Sequence, residues 1–177
     1  MNKEYYSIEN QIKRNEIRNQ LDTDKKIFKK LSKEGKLNYE VKWHLSKNNI
    51  ELKYLGDDCH KSLNTKKDYS IYMIDKTELF RVLDPSFKRV YKKENLWKKH
   101  CEDKITKVLQ NWKKGYCLIP PVLILNLPEK CLLIQDGKHR FAVANYFETE
   151  QIPLIILNVI EKRFLELVNS AHIKKID

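Results

Sequence analysis

Leu132-Leu-Ile-Gln-Asp-Gly-Lys-His-Arg-Phe-Ala-Val-Ala-Asn-Tyr-Phe147 is the stretch whose reading decides the fold. Leu132, Leu133 and Ile134 read as a short buried strand, and Asp136-Gly137 as a turn. Lys138 to Phe147 predicts a helix with small Ala142 and Ala144 on it. A strand that turns sharply into a helix leaves the first amide N–H groups unpaired and aimed at one spot. The helix dipole makes that spot attractive to an anion. Lys138, His139 and Arg140 share this first turn, so a phosphate would meet amides, dipole and cations together. Asp136 is placed to cap the helix. Gly137 permits a backbone geometry or a close approach that a side chain would block. Lys138 can reach a phosphate, and Arg140 offers a planar fork matched to one. His139 can donate to a phosphate oxygen or pack as a core histidine.

Working outward, Pro121 to Leu125 reads as the preceding strand, with Pro120-Pro121 at its start where missing N–H groups are tolerated. Cys131 to Gln135 returns as a strand into the motif, and Ile152 to Leu157 is the strand after the helix. Asn95 to Lys114 predicts a long helix. Its apolar stripe of Trp97, Cys101, Ile105, Val108, Leu109 and Trp112 belongs in the core. Gly115 ends it. Tyr69 to Ile74 reads as a strand and Asp75-Lys-Thr77 as the cap of a short helix that Asp84-Pro85 stops. Glu161 to Val168 predicts a last amphipathic helix, and the tail beyond it is polar.

The segment Asp136-Gly137-Lys138-His139-Arg140, followed by a helix and the strand Gln151 to Leu157, resembles the ParB/sulfiredoxin-like superfamily. The likeness covers roughly residues 69–158 and leaves the N-terminal third outside. It implies a small mixed sheet with flanking helices and nucleotide phosphates bound at Asp136, Gly137, Lys138, His139 and Arg140. The implied ligand is ATP or CTP with Mg²⁺. Lys138 stands where sulfiredoxin-like members carry a cysteine, which argues against sulfinic-acid reduction. The residues after Leu157 are too few for the helix-turn-helix region of partitioning members. The kinase-like and DNA-modification-linked members are nearer. By analogy with the kinase-like members, Glu78 orients a nucleophile, with His139 beside the phosphates as the second catalytic candidate. Asp75 and Asp84 are other acids near the long helix.

The 177 residues suit one domain of ordinary size, or a small domain with an extension. Hydrophobic residues at 41% allow a real core. A net charge of +11 favours an anionic partner such as a nucleotide or nucleic acid. Lys88, Arg89, Lys92 and Lys93 interleave with Phe87 and Tyr91. That mixture suits single-stranded nucleic acid, with cations on phosphates and rings on bases. The plainer reading is a surface loop whose aromatics point inward. Cys59, Cys101, Cys117 and Cys131 form no Cys-x-x-Cys pair and read as reduced thiols. The adjacent pairs Cys59-His60 and His100-Cys101 lack the spacing of a structural zinc site, so no metal centre is expected. No apolar signal region opens the sequence. The longest apolar run, Leu118 to Leu127, is broken by prolines and Asn126 and falls short of the roughly 20 residues that span a bilayer. A cytoplasmic protein with no membrane partner follows.

In the N-terminal third, Ser7 caps a helix to Leu21, Asp22-Thr23-Asp24 breaks it, and a second helix runs to Gly35. Tyr39 to Leu45 and Ile50 to Tyr54 alternate apolar and polar residues, the pattern of a β-hairpin. The expected architecture is therefore α/β, or α+β in looser usage: an extension over residues 1–68 ahead of a ParB/sulfiredoxin-like core over residues 69–177. Two functional readings follow. The first is a nucleotide-phosphate-binding domain, with hydrolysis or transfer of the terminal phosphate. The second is a DNA-associated protein, binding or nuclease-like, that uses the same motif and a basic surface without nucleotide turnover. The bland alternative keeps the fold with an idle pocket.

Overall fold

A computed structural model describes residues 7–50, 68–126, 128 and 130–177. Among these, five strands form one sheet: Tyr69–Asp75 (β1), Val122–Asn126 (β2), Cys131–Asp136 (β3), Gln151–Leu157 (β4) and Ile173–Lys175 (β5). The helices are Ile8–Lys33 (α1), Lys76–Val82 (α2), Pro85–Val90 (α3), Leu96–Lys99 (α4), Glu102–Lys113 (α5), Lys138–Tyr146 (α6) and Asn158–Leu167 (α7). The sheet order is β3-β2-β4-β1-β5. β2 and β4 run parallel, and the other neighbours are antiparallel. The chain is thus α+β with a mixed sheet flanked by helices, as its sequence pattern indicates.

Central strand β4 explains its own lack of alternation. It is buried at every position except Gln151, because both faces are covered. Ile152, Leu154 and Ile156 join the main core, with Phe141 to Ala144 of α6 and Ile105, Leu109 and Trp112 of α5. Ile155 and Leu157 turn to a second cluster containing Tyr69, Ile71, Ile119 and Val122. The N-terminal segment contributes to both: Phe28 and Leu37 pack in the main core, and Ile50 in the second.

Several elements differ from the sequence reading. Helix α1 is continuous through Asp22-Thr23-Asp24. The capping side chains found other partners: Asp22 pairs with Lys25, Thr23 Oγ1 donates to the Asn19 carbonyl, and Asp24 accepts from Gln110 of α5 at 2.7 Å. Docking against α5 outweighs the local signal. Tyr39 to Leu45 is not a strand. Only Trp43 bridges, in parallel with Leu118. The second hairpin arm lies outside the described residues apart from Ile50. The long helix expected over residues 95–114 is interrupted at His100-Cys101, where both residues are extended. His100 stacks near Tyr91, and Glu102 and Asp103 open α5 as a new acidic first turn. Phe87 and its neighbours form α3, capped by Asp84, instead of a loop. The polar tail supplies edge strand β5, paired with β1. No helix among the described residues is long and apolar enough to cross a membrane.

Candidate phosphate-binding site

The end of β3 sets the site. Asp136 is paired with Val122 of β2, and Gly137 then turns the chain at φ 81°. This left-handed conformation is one that glycine adopts without strain. A Cβ here would also sit 2.8 Å from the Pro121 Cα. Gly137 is the N-cap of α6 and has no side chain with which to satisfy the first amides. Phe141 N–H is the first to return to the turn, donating to the Gly137 carbonyl at 2.9 Å. The Lys138, His139 and Arg140 amides precede that bond and form the open tip of the helix.

Asp136 does not cap, contrary to its sequence reading. Its Oδ2 accepts from Arg140 Nη2 at 3.0 Å, an i,i+4 pair across the turn. The reason is the glycine: with Gly137 itself at the cap position, Asp136 is one residue too early. Arg140 is held with only 19% of its side chain exposed. Its Nε is buried and has no hydrogen-bond partner among the described residues. A buried guanidinium donor left open is unusual.

Between this tip and α5 lies a cavity of about 380 Å³. Lys104 and Lys107 line it from α5, and Lys138 and Arg140 from α6. Asn111 and Gln135 add polar groups, and Asp136 is the one carboxylate among the described lining residues. Cations thus outnumber acids four to one around a hollow suited to an anion. The sequence does not join Lys104, Lys107 and Asn111 to the motif. Their spacing of three and four places them on one helical face, but only the docking of α5 against α6 turns that face inward.

His139 also borders the cavity and is partly buried. Burial first, then Lys104, His100, Arg140 and Lys138, hold its pKa down at about 4. It is neutral at neutral pH and resists taking up a proton. Its ring meets that of His100 edge-on, with centroids 5.9 Å apart. On this side a smaller cavity of about 270 Å³ is walled by Phe87, Tyr91 and His100.

The other sequence-derived candidates fall elsewhere. Glu78 is buried on α2 and lines neither cavity. Its carboxylate accepts from Arg81 at 2.7 and 2.8 Å and from the Asn169 N–H. The Arg81 bonds, with the Asn169 N–H behind them, lower its pKa to about 2. Lys88 donates to the Arg81 carbonyl, and Lys93 pairs with Glu148. Arg89 and Lys92 are exposed. Tyr91 is buried at 2% exposure against Phe141, so its ring is closed to a base. Phe87 stacks on Tyr91 and receives Lys138 Nζ 5.5 Å from its ring centre.

The described residues contain no group of three or more His, Cys, Asp or Glu side chains arranged to hold a metal ion. No protein-family model matches the chain, and no curated protein or solved structure is significantly similar to it.

Proposed function

We propose that the cavity at Asp136–Arg140 holds the phosphates of a nucleoside triphosphate, ATP or CTP with Mg²⁺. One observation carries the reading: four cationic side chains and an uncapped helix tip converge on a single hollow. Arg140 lines the hollow with its guanidinium already turned by Asp136 through Nη2. The β3–turn–α6–β4 order supports kinship with the ParB/sulfiredoxin-like superfamily as part of the same proposal. Hydrolysis or transfer of the terminal phosphate belongs to the same proposal, with His139 at the cavity donating a hydrogen bond to a phosphate oxygen; its low pKa makes it a weak general base. The metal would be held mainly by the phosphate oxygens, with Asp136 the one carboxylate among the described lining residues.

Thermal unfolding with and without ATP or CTP and Mg²⁺ tests this. A ligand at a hundred times its dissociation constant stabilises by about 2.7 kcal/mol, and Arg140→Ala should abolish the shift. No shift with either nucleotide would refute the reading.

Exposed Arg89 and Lys92 and the charge of +11 favour a second reading, DNA held through its phosphates. Its mark would be DNA affinity that falls steeply with salt and is indifferent to nucleotide.

A further inference from the structure

A second hollow of about 540 Å³ adjoins the phosphate cavity, and the two share Arg140, Asn111 and Leu118 as walls. Its character is different. The phosphate side is ringed by lysines. The far side presents the carboxamides of Asn49 and Asn111 and the imidazole of His44, over apolar Leu118 and Ile119. The far wall belongs to the N-terminal segment, ahead of residues 69–158, through His44 and Asn49. That wall is firmly attached. His44 N–H donates to the Leu118 carbonyl, and Leu118 N–H to the Lys42 carbonyl, both at 2.9 Å. Trp112 Nε1 donates to the same Lys42 carbonyl at 3.0 Å, and Trp43 packs edge-on against Trp112. Behind it, Lys47 N–H donates to Asp177 at 2.7 Å, and Ile50 is buried in the second core cluster.

From these facts we infer that the second hollow is a nucleoside compartment, built by residues 42–50 against Asn111, Leu118 and Ile119. The inference rests on the phosphate reading of the neighbouring cavity. Arg140 stands at the junction and takes the phosphate nearest the sugar. Apolar Leu118 and Ile119 cover the faces of ribose and base. Asn49, Asn111 and His44 meet polar edges, because a carboxamide offers a donor and an acceptor side by side and can pair with a base edge. The volume falls within the roughly 300–1,000 Å³ common for small-molecule sites. The smaller cavity beside His139 is a poorer choice. Its rings are already engaged with one another, Phe87 on Tyr91 and Tyr91 on His100. The N-terminal segment therefore makes the ligand a whole nucleotide and not a bare polyphosphate.

Isothermal titration of the full chain with inorganic tripolyphosphate and with ATP, CTP, GTP and UTP separates the two layers. At least one nucleotide should bind tenfold or more tighter than tripolyphosphate. Asn49→Ala and His44→Ala should erase that difference while leaving tripolyphosphate affinity and melting temperature unchanged. Equal affinity for tripolyphosphate and every nucleotide would overturn the compartment and leave the phosphate site standing. Loss of the nucleotide advantage in Phe87→Ala, with Asn49→Ala unaffected, would overturn it in favour of the other cavity. No binding of tripolyphosphate or any nucleotide would overturn the phosphate reading and the compartment with it.

Discussion

Gly137 is the residue on which the site turns. Replacing it with alanine forces a non-glycine residue to φ 81° and brings a Cβ to 2.8 Å from the Pro121 backbone. Left-handed strain alone costs about 1–3 kcal/mol, and the backbone contact adds to it. Chemical denaturation of Gly137→Ala should show a loss of at least that size. His139 gives a second residue-scale prediction. Its folded pKa of about 4 lies below the ordinary 6.5. Below pH 6.5 the unfolded chain takes up a proton that the folded chain refuses, so stability falls as pH drops from 6.5 towards 4. His100, also lowered by burial, acts in the same direction. His139→Asn should flatten this limb, read as stability against pH. Glu78 acts in the same direction in a lower window: its depressed carboxyl contributes stability that is lost as pH falls from 4.5 towards 2. It holds the Asn169 amide and Arg81, and Arg81 is largely exposed, which screens that pair. Glu78→Gln should therefore cost about 1–2 kcal/mol by denaturation and leave phosphate affinity unchanged. A fall in affinity in that variant would give Glu78 a place at the ligand.

Helix α5 is the element that makes the hollow. Its inner face packs into the core through Ile105, Leu109 and Trp112, and its next face presents Lys104, Lys107 and Asn111 to the α6 tip. Helix α1 braces it through Lys25 with Asp103, Lys29 with Glu102, and Asp24 with Gln110. Phe28 anchors the brace at 0% exposure. Phe28→Ala should cost about 3–5 kcal/mol by chemical denaturation. The elements with one strong periodic or turn signal were legible in the sequence. The strand–glycine–helix passage at Gly137 could be read from Leu132 to Phe147 alone, and β4 from its unbroken apolar run. What failed were local signals that tertiary contacts overrode. Asp22-Thr23-Asp24 looks like a break until Gln110 of α5 takes the Asp24 carboxylate. The apparent stripe over residues 95–114 hides the bend at His100, because His100 finds Tyr91 and His139 across space. Tyr39 to Leu45 alternates like a strand, but among the described residues its one β-bridge is Trp43 with Leu118.

Across the whole molecule, the basic excess is unevenly spent. Lysines such as Lys25, Lys42 and Lys175 are paired with carboxylates. The cations around the α6 tip face a cavity with a single acid. The motif residues Asp136 to Arg140 were legible as a group, because five consecutive positions fixed them. Lys104, Lys107 and Asn111 were not, since they converge only when α5 docks against α6. By sequence the N-terminal segment is an extension. In the fold it fills both core clusters through Phe28, Leu37 and Ile50 and walls the hollow beside Arg140. The most direct measurement of the central claim is titration calorimetry of inorganic tripolyphosphate into the intact chain and into Arg140→Ala. Saturable binding to the parent chain, weakened at least tenfold in the variant, is the expected result. No heat of binding, or the same affinity in both proteins, would contradict it.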